Sequence, residues 1–278
     1  MGAWMIRAIV GSEEHKQLFC QTFIDTHERY TPSELSFPDI DTDSRERLLS
    51  LPIWDEAVNT ELETAHKVQR MADLEPDPLV REAIALQGFE EGRHAALLDL
   101  LTQRYQIPVQ RRVDAPAPRD ARWEFTRTEY GECFDAFFAF GLFAIARDSG
   151  FFPPPLVRLF DPIMQEDARH VLFFVNWIAY QRARMPLLRR PLLDIKRGMA
   201  VVLQILSRVR TAFDLGGTGQ DNFAMNSHAS LGDFSLRGYL EICLRENQRR
   251  LGSYDARLLR PRFVPRVARL ALKALPTA

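Results

Sequence analysis

Apolar residues along this chain recur three and four positions apart, the spacing of a helix face, and strict alternation of apolar and polar positions is scarce. The pattern predicts a first helix from Ser12, a good N-cap, to about Tyr30. Residues 31–43, TPSELSFPDIDTD, have turn chemistry. Four longer helices follow at roughly 53–73, 78–104, 121–148 and 155–184. Beyond Pro186 the pattern gives helices at about 191–212 and 234–250, separated by a Gly/Asn/Ser loop at 215–230.

The connections between the four long helices organise them. LEPDP (74–78) is a short link, with Asp77 as N-cap and Pro78 at the first helical position. DSGFFPPP (148–155) is another, whereas IPVQRRVDAPAPRDA (107–121) is long, Pro-rich and extended. At ~3.3 Å per extended residue this middle segment can run the length of a bundle. Short, long, short is the signature of two antiparallel hairpins joined by one crossover, and so of a four-helix bundle. The expected fold is all-α: a bundle at 51–185, with helical extensions at 1–50 and 186–278 packed on it.

Composition narrows the function classes. At 46% hydrophobic and 26% charged the chain is an ordinary globular one. Its 36 basic and 37 acidic side chains leave a net charge of −1, which argues against a general nucleic-acid binder. Cys20, Cys133 and Cys243 form no C-x-x-C and no paired framework, and read as free thiols in a reducing compartment. The opening residues are too short in their apolar part for a signal peptide, and no apolar run nears the ~20 residues of a membrane span. The expectation is a soluble cytoplasmic protein. After Asp255 come six basic residues and no acid, read as an amphipathic terminal helix on the domain, with an anionic membrane or acidic partner as the alternative.

One short internal echo carries chemistry. Residues 90–94 read EEGRH and residues 166–170 read EDARH. Each places a carboxylate three positions before a histidine, Glu91/His94 and Asp167/His170, so both side chains share a helix face. Apart from Gln87, those faces are otherwise apolar: Val80, Ile84, Leu98 and Leu101 on one helix, Leu156, Phe160, Ile163, Phe174 and Trp177 on the other. A carboxylate held there must be neutralised, and a cation does so directly. On the partner helices Glu61 is the lone acid of an apolar stripe, and Glu132 precedes a long apolar run. Glu129 and Asp135, one turn to either side, are alternatives to Glu132. A glutamate from each of two helices plus a carboxylate-x-x-His from each of the others is the ligand set of ferritin-like di-iron or di-manganese bundles.

On these residues the sequence resembles the ferritin-like di-iron carboxylate superfamily. Its two boxes are similar to the D-E-x-R-H boxes of bacterial di-iron monooxygenases. The resemblance covers roughly 53–184. It implies Glu91, His94, Asp167 and His170 as ligands, with Glu90 and Glu166 as acids behind them and Arg93 and Arg169 as their charge partners. The boxes depart from the family in their first acid, Glu for Asp, and in the second ligand, Asp167 for Glu. The shorter Asp167 leaves Glu166 as an alternative ligand. The implied cofactor is two Fe ions, with Mn or a mixed Fe/Mn pair as variants. The implied reaction is an O₂-dependent oxidation or oxygenation of a small organic substrate. Ala136, Ala139, Phe140 and Phe143 lie beside or on the Glu132 face and are expected to shape an apolar pocket. Electrons would come from a separate ferredoxin or reductase, since no Cys cluster or flavin motif is present. A homodimer is compatible with this reading. The alternatives are a ferritin-like iron oxidation and storage protein, and a structural helical protein whose boxes form only a buried Glu/Arg/His salt-bridge network.

Other features read as ordinary surface. Glu63-Thr-Ala-His66 also spells E-x-x-H, but its neighbours Asn59, Arg70 and Asp73 are polar, so a solvated face is expected. His15, His27 and His228 are expected at the surface. Gly-Gly-Thr-Gly (216–219) is read as a turn, because no strand precedes it and no Lys-Ser/Thr follows.

Overall fold

The computed structural model describes residues 9–51, 53–112, 120–216 and 235–276, and only the backbone over 207–216. Among the described residues every regular element is helical. In chain order they are α1 (Glu13–Asp25), α2 (Thr42–Ser50), α3 (Trp54–Leu74), α4 (Pro78–Tyr105), α5 (Ala121–Asp148), α6 (Pro154–Arg158), α7 (Asp161–Arg184), α8 (Arg190–Gly216), α9 (Leu236–Gly252) and α10 (Phe263–Ala274). None is long and apolar enough to cross a membrane.

Helix starts follow the capping chemistry of the sequence. The Asp77 carboxylate accepts from the Leu79 and Val80 amides at 3.1 and 3.3 Å, satisfying two orphan donors of α4. Asp120 does the same for α5 through the Trp123 amide at 2.9 Å. Asp77 also receives Lys16 Nζ at 2.6 Å, which ties α1 to the start of α4.

The long helices α3, α4, α5 and α7 pack around a common interior, α3 against α4 and α5, α7 against α5 and α4. Gly88 permits the close α3–α4 approach, since a Cβ there would stand 3.2 Å from the Gln69 backbone nitrogen. The interior divides along its length. One apolar cluster gathers Val68, Met71, Ile84, Phe125, Phe174 and Trp177, and a second gathers Trp54, Val58, Leu98, Leu101, Phe134 and Phe137. The polar residues of α3, α4, α5 and α7 singled out by the sequence fall between them. Helix α1 lies over α4 and α7, whereas α8, α9 and α10 pack on α5. At the α5–α9 contact Gly141 has no room for a side chain: a Cβ would fall 2.3 Å from Cys243 Sγ.

Several expectations are corrected. The first helix ends at Asp25, not near Tyr30, and residues 27–31 leave it in an irregular path. Within and after the expected turn region, Asp41 caps a short helix, α2, by accepting from the Ser44 amide at 2.6 Å. The expected helix at 155–184 is two, α6 and α7, because Pro162 has no N–H to carry the ladder across residues 159–160. His15 is fully buried, its Nε2 3.1 Å from Asn176 Oδ1, and His27 is half-buried rather than at the surface. Asn59 is buried too, donating to the Gln110 carbonyl at 2.8 Å and so holding the start of the crossover. His66 is exposed, as expected. The middle of the crossover (113–119), most of the 215–230 loop, most of the Gly-Gly-Thr-Gly turn and His228 lie outside the described residues. The basic terminal segment does pack as a helix, burying Val264, Pro265 and Ala268.

Candidate metal centre

Helices α4 and α7 present the two boxes to each other. Both imidazoles are fully buried, and their rings lie 5.8 Å apart. Each turns Nδ1 to the inside and Nε2 to the outside. On the inside, His94 Nδ1 is 3.5 Å from Glu61, 3.8 Å from Glu91 and 3.8 Å from Asp167. His170 Nδ1 is 3.1 Å from Glu91 and 3.1 Å from Glu132. Four helices therefore bring together all six residues that the sequence proposed as ligands. Two triads can each surround one ion, Glu61/Glu91/His94 and Glu91/Glu132/His170, with donor atoms within 4.8 Å of one another. Glu91 belongs to both. Asp167 faces the His94 side without closing either triad, in keeping with its shorter side chain.

The alternatives separate. Asp135 is exposed and stands outside both triads. Glu129 is buried one turn from Glu132, but it accepts from Gln87 Nε2 at 2.7 Å. Glu166 lies on the far side of its partner imidazole, so it does not replace Asp167 in the inner group.

On the outside the two boxes are cross-strapped. His94 Nε2 of α4 meets Glu166 Oε2 of α7 at 2.8 Å, and His170 Nε2 of α7 meets Glu90 Oε2 of α4 at 2.9 Å. Arg93 binds Glu166, and Arg169 binds Glu90 at 2.7 Å, so each outer acid has its guanidinium on the opposite helix. An imidazole that gives its Nε2–H to a carboxylate leaves Nδ1 free as a ligand atom.

Three further residues complete this outer group, and all come from the stretch after α1. His27 Nδ1 donates to Glu90 Oε1 at 2.5 Å, Tyr30 O–H donates to Glu166 Oε2 at 3.3 Å, and Thr26 Oγ1 accepts from Arg169 Nε at 3.0 Å. Sequence reasoning missed them. The one signal it had was the polar run Thr-His-Glu-Arg-Tyr (26–30), which interrupts the apolar spacing of the helix assigned there.

The electrostatics differ from acid to acid: despite its burial Glu91, shared by the two triads, is lowered by His170 and His94. Glu90 is held down at about 2: burial works against its charge, and His170 and Arg169 more than reverse that. Burial pushes the Glu61 and Glu132 carboxyls up to about 8, and neighbouring Glu91 and Asp167 push the same way against the imidazoles. Asp167 rises to about 6 for the same reasons. Glu129 is raised well above the carboxylate range by burial and by Glu132. Burial opposes charge on His94 and His170 as well, yet the surrounding acids raise both. Among the described residues, the ion-pair partners of Glu61, Glu91, Glu132 and Asp167 are these two histidines, with no Lys or Arg.

The residues fit a pair of divalent cations. Glu91 Oε1, Glu132 Oε2 and His94 Nδ1 are buried without a hydrogen-bond partner. Four carboxylates balance two divalent charges, and oxygen with a few imidazoles is the donor set of Fe and Mn.

The expected pocket is placed differently. Ala136 and Phe140 are packed into the core, and Ala139 is half-buried. Phe143 instead lines a cleft of about 240 Å³ with Arg147, Val157, Asp161 and Arg249. At 1.5 Å per residue it lies roughly 16 Å along α5 from Glu132. No described opening joins that cleft to the acids.

Neither a protein family, nor a curated protein, nor a solved structure matches this chain.

Proposed function

We propose that the chain is a ferritin-like di-metal oxidoreductase, an oxygenase or oxidase that uses O₂ on a small organic substrate and holds two Fe ions, or Mn in their place. The observation that carries the reading is the inner group: four carboxylates from four helices whose ion-pair partners are two imidazoles with Nδ1 turned inward. The box arginines do not serve it: Arg93 and Arg169 bind Glu166 and Glu90, and the inner acids have only the two imidazoles as ion-pair partners.

Each part of the chain has a task in this reading. Glu61, Glu91 and His94 would hold one ion, Glu91, Glu132 and His170 the other, with Asp167 beside the first. Glu90 and Glu166 fix the imidazole planes, and Arg169 and Arg93 hold those two acids in place. Phe23, whose ring centre lies 5.9 Å from that of His170, helps to exclude water on the α1 side. Iron, where these residues held it, would supply electrons and open positions for O₂ chemistry. A separate ferredoxin or reductase would return those electrons.

The test is elemental analysis of protein produced with ample iron and manganese, beside a His94→Ala/His170→Ala double variant. The expected result is about two Fe or Mn per chain, lost in the variant, followed by O₂ uptake once a reductant and organic substrates are supplied. Near-zero metal in both proteins overturns the reading.

A further inference from the structure

Exchanging α4 and α7 maps the His–Glu and Arg–Glu pairings of one half of the outer group onto those of the other, yet the N-terminal segment treats the halves differently. Behind His170, Glu90 Oε1 receives His27 Nδ1 at 2.5 Å and Arg169 Nη1 at 2.7 Å. Arg169 is itself held by Thr26 Oγ1 at 3.0 Å and by the Phe23 carbonyl, with its guanidinium carbon 4.4 Å from the Phe23 ring centre. That carbonyl belongs to the last turn of α1, where acceptors lack helical partners and the negative end of the helix dipole meets the cation. Behind His94 the partners are of another kind. Glu166 Oε2 receives the Tyr30 hydroxyl at 3.3 Å, and Arg93 Nη1 donates to the Glu28 and Tyr30 carbonyls at 3.0 and 3.3 Å. The Tyr30 ring covers the Arg93 guanidinium at 3.8 Å. The early end of α1 at Asp25 is what frees these carbonyls to turn inward.

We propose that residues 26–30 form a positioning strap that makes the two metal positions unequal, His27 setting the His170 position through Glu90 and Tyr30 setting the His94 position through Glu166. The inference rests on the reading that the inner acids hold two metal ions. The physical link is short in both halves. A ligating imidazole is oriented by the group that its other nitrogen binds, and removing such a partner costs about 10–100-fold in metal affinity. An imidazole N–H on Glu90 and a phenol on Glu166 restrain those acids in different directions, so their loss acts on different ions. His27 and Tyr30 are positioning residues, since neither touches the inner group.

The experiment uses the full chain, stripped of metal and titrated with Co(II) by calorimetry, with the visible Co(II) bands as a second readout. The expected wild-type result is two binding steps. His27→Ala weakens one step by about 10-fold or more and leaves the other in place. Tyr30→Phe weakens the other step by a smaller factor, because a single 3.3 Å bond is removed and the ring over Arg93 stays. His27→Gln, which restores an N–H donor toward Glu90, recovers most of the loss. Thermal melts of the metal-free variants separate a lost strap from a lost fold, and Tyr30→Phe and His27→Gln keep the test open should His27→Ala unfold. Two wild-type steps that shift equally, or not at all, in the variants overturn the strap and leave the metal centre standing. No Co(II) binding by the wild type overturns both.

Discussion

Two groups of buried acids sit on either side of the same pair of imidazoles and solve the problem of burial in opposite ways. The outer acids, Glu90 and Glu166, each have a guanidinium from the opposite helix and a side chain from the N-terminal segment. Among the described residues the inner acids have no cationic side chain beside them except the two histidines. Glu90 accordingly stays ionised down to about 2, whereas Glu61 and Glu132 are pushed to about 8. The difference shows that a buried carboxylate does not by itself mark a ligand: Glu90 is matched by protein cations and Glu129 by the Gln87 amide, whereas the inner acids have only the two imidazoles.

The largest way to break the contrast is to remove an outer cation. Arg169→Met should destabilise the protein by about 3 kcal/mol in urea unfolding, because the buried Glu90 loses its guanidinium and keeps only the His27 and His170 imidazoles. The corresponding change in the inner group should have the other sign. Glu132→Gln in metal-free protein should leave stability unchanged or raised, since the neutral amide replaces an acid that burial already drives toward its neutral form, and it should weaken metal binding.

A pH series sharpens the same comparison. Carboxyls at about 8 in the fold and near 4.3 in the unfolded chain contribute stability that is complete below the lower value and lost as pH rises through the higher. The raised His94 and His170 act in the same sense. Metal-free protein should therefore melt at progressively lower temperature from pH 5 to pH 8, and metal-loaded protein should not. Glu90 acts oppositely, but only as pH falls toward about 2. Metal affinity should rise over that upper range, with proton release seen as a buffer-dependent binding enthalpy. The smallest effect belongs to the E-x-x-H that the fold leaves at the surface: His66→Ala should change melting and metal content within error, a stability shift inside ~0.5 kcal/mol.

How much of this was legible in the sequence follows from the range of each interaction. The long helices and the boxes could be read because their signals lie within a turn or two: Asp77 with Pro78, Glu91 with His94, Asp167 with His170. Glu61 stood out as one acid in an apolar stripe. Choosing among Glu129, Glu132 and Asp135 needed the real tilt of α5, which exposes Asp135 and buries Glu129 against Gln87. The crossed pairs were not legible, because Arg93 and Glu166 lie 73 residues apart and Arg169 and Glu90 lie 79 apart. For the same reason a salt-bridge network and a metal site looked like rival accounts of one set of residues, whereas the fold separates them into two layers. His27 and Tyr30 were hidden by a helix drawn one turn too long.

Helix α1 is made before the two helices that it packs on, α4 and α7. Its His15 binds Asn176, made 161 residues later, and Phe19 and Phe23 pack on Phe173 of the same helix. At about 5–20 residues per second, that interval lasts roughly 8–30 s. For that time Phe19 and Phe23 lack the α7 side of their cover, although α4 is made sooner, and they are natural ground for a chaperone. The outer support of the acids, supplied in part by residues 26–30, is thus complete only once α7 has been made, so the ordered arrangement of donor atoms waits on that helix.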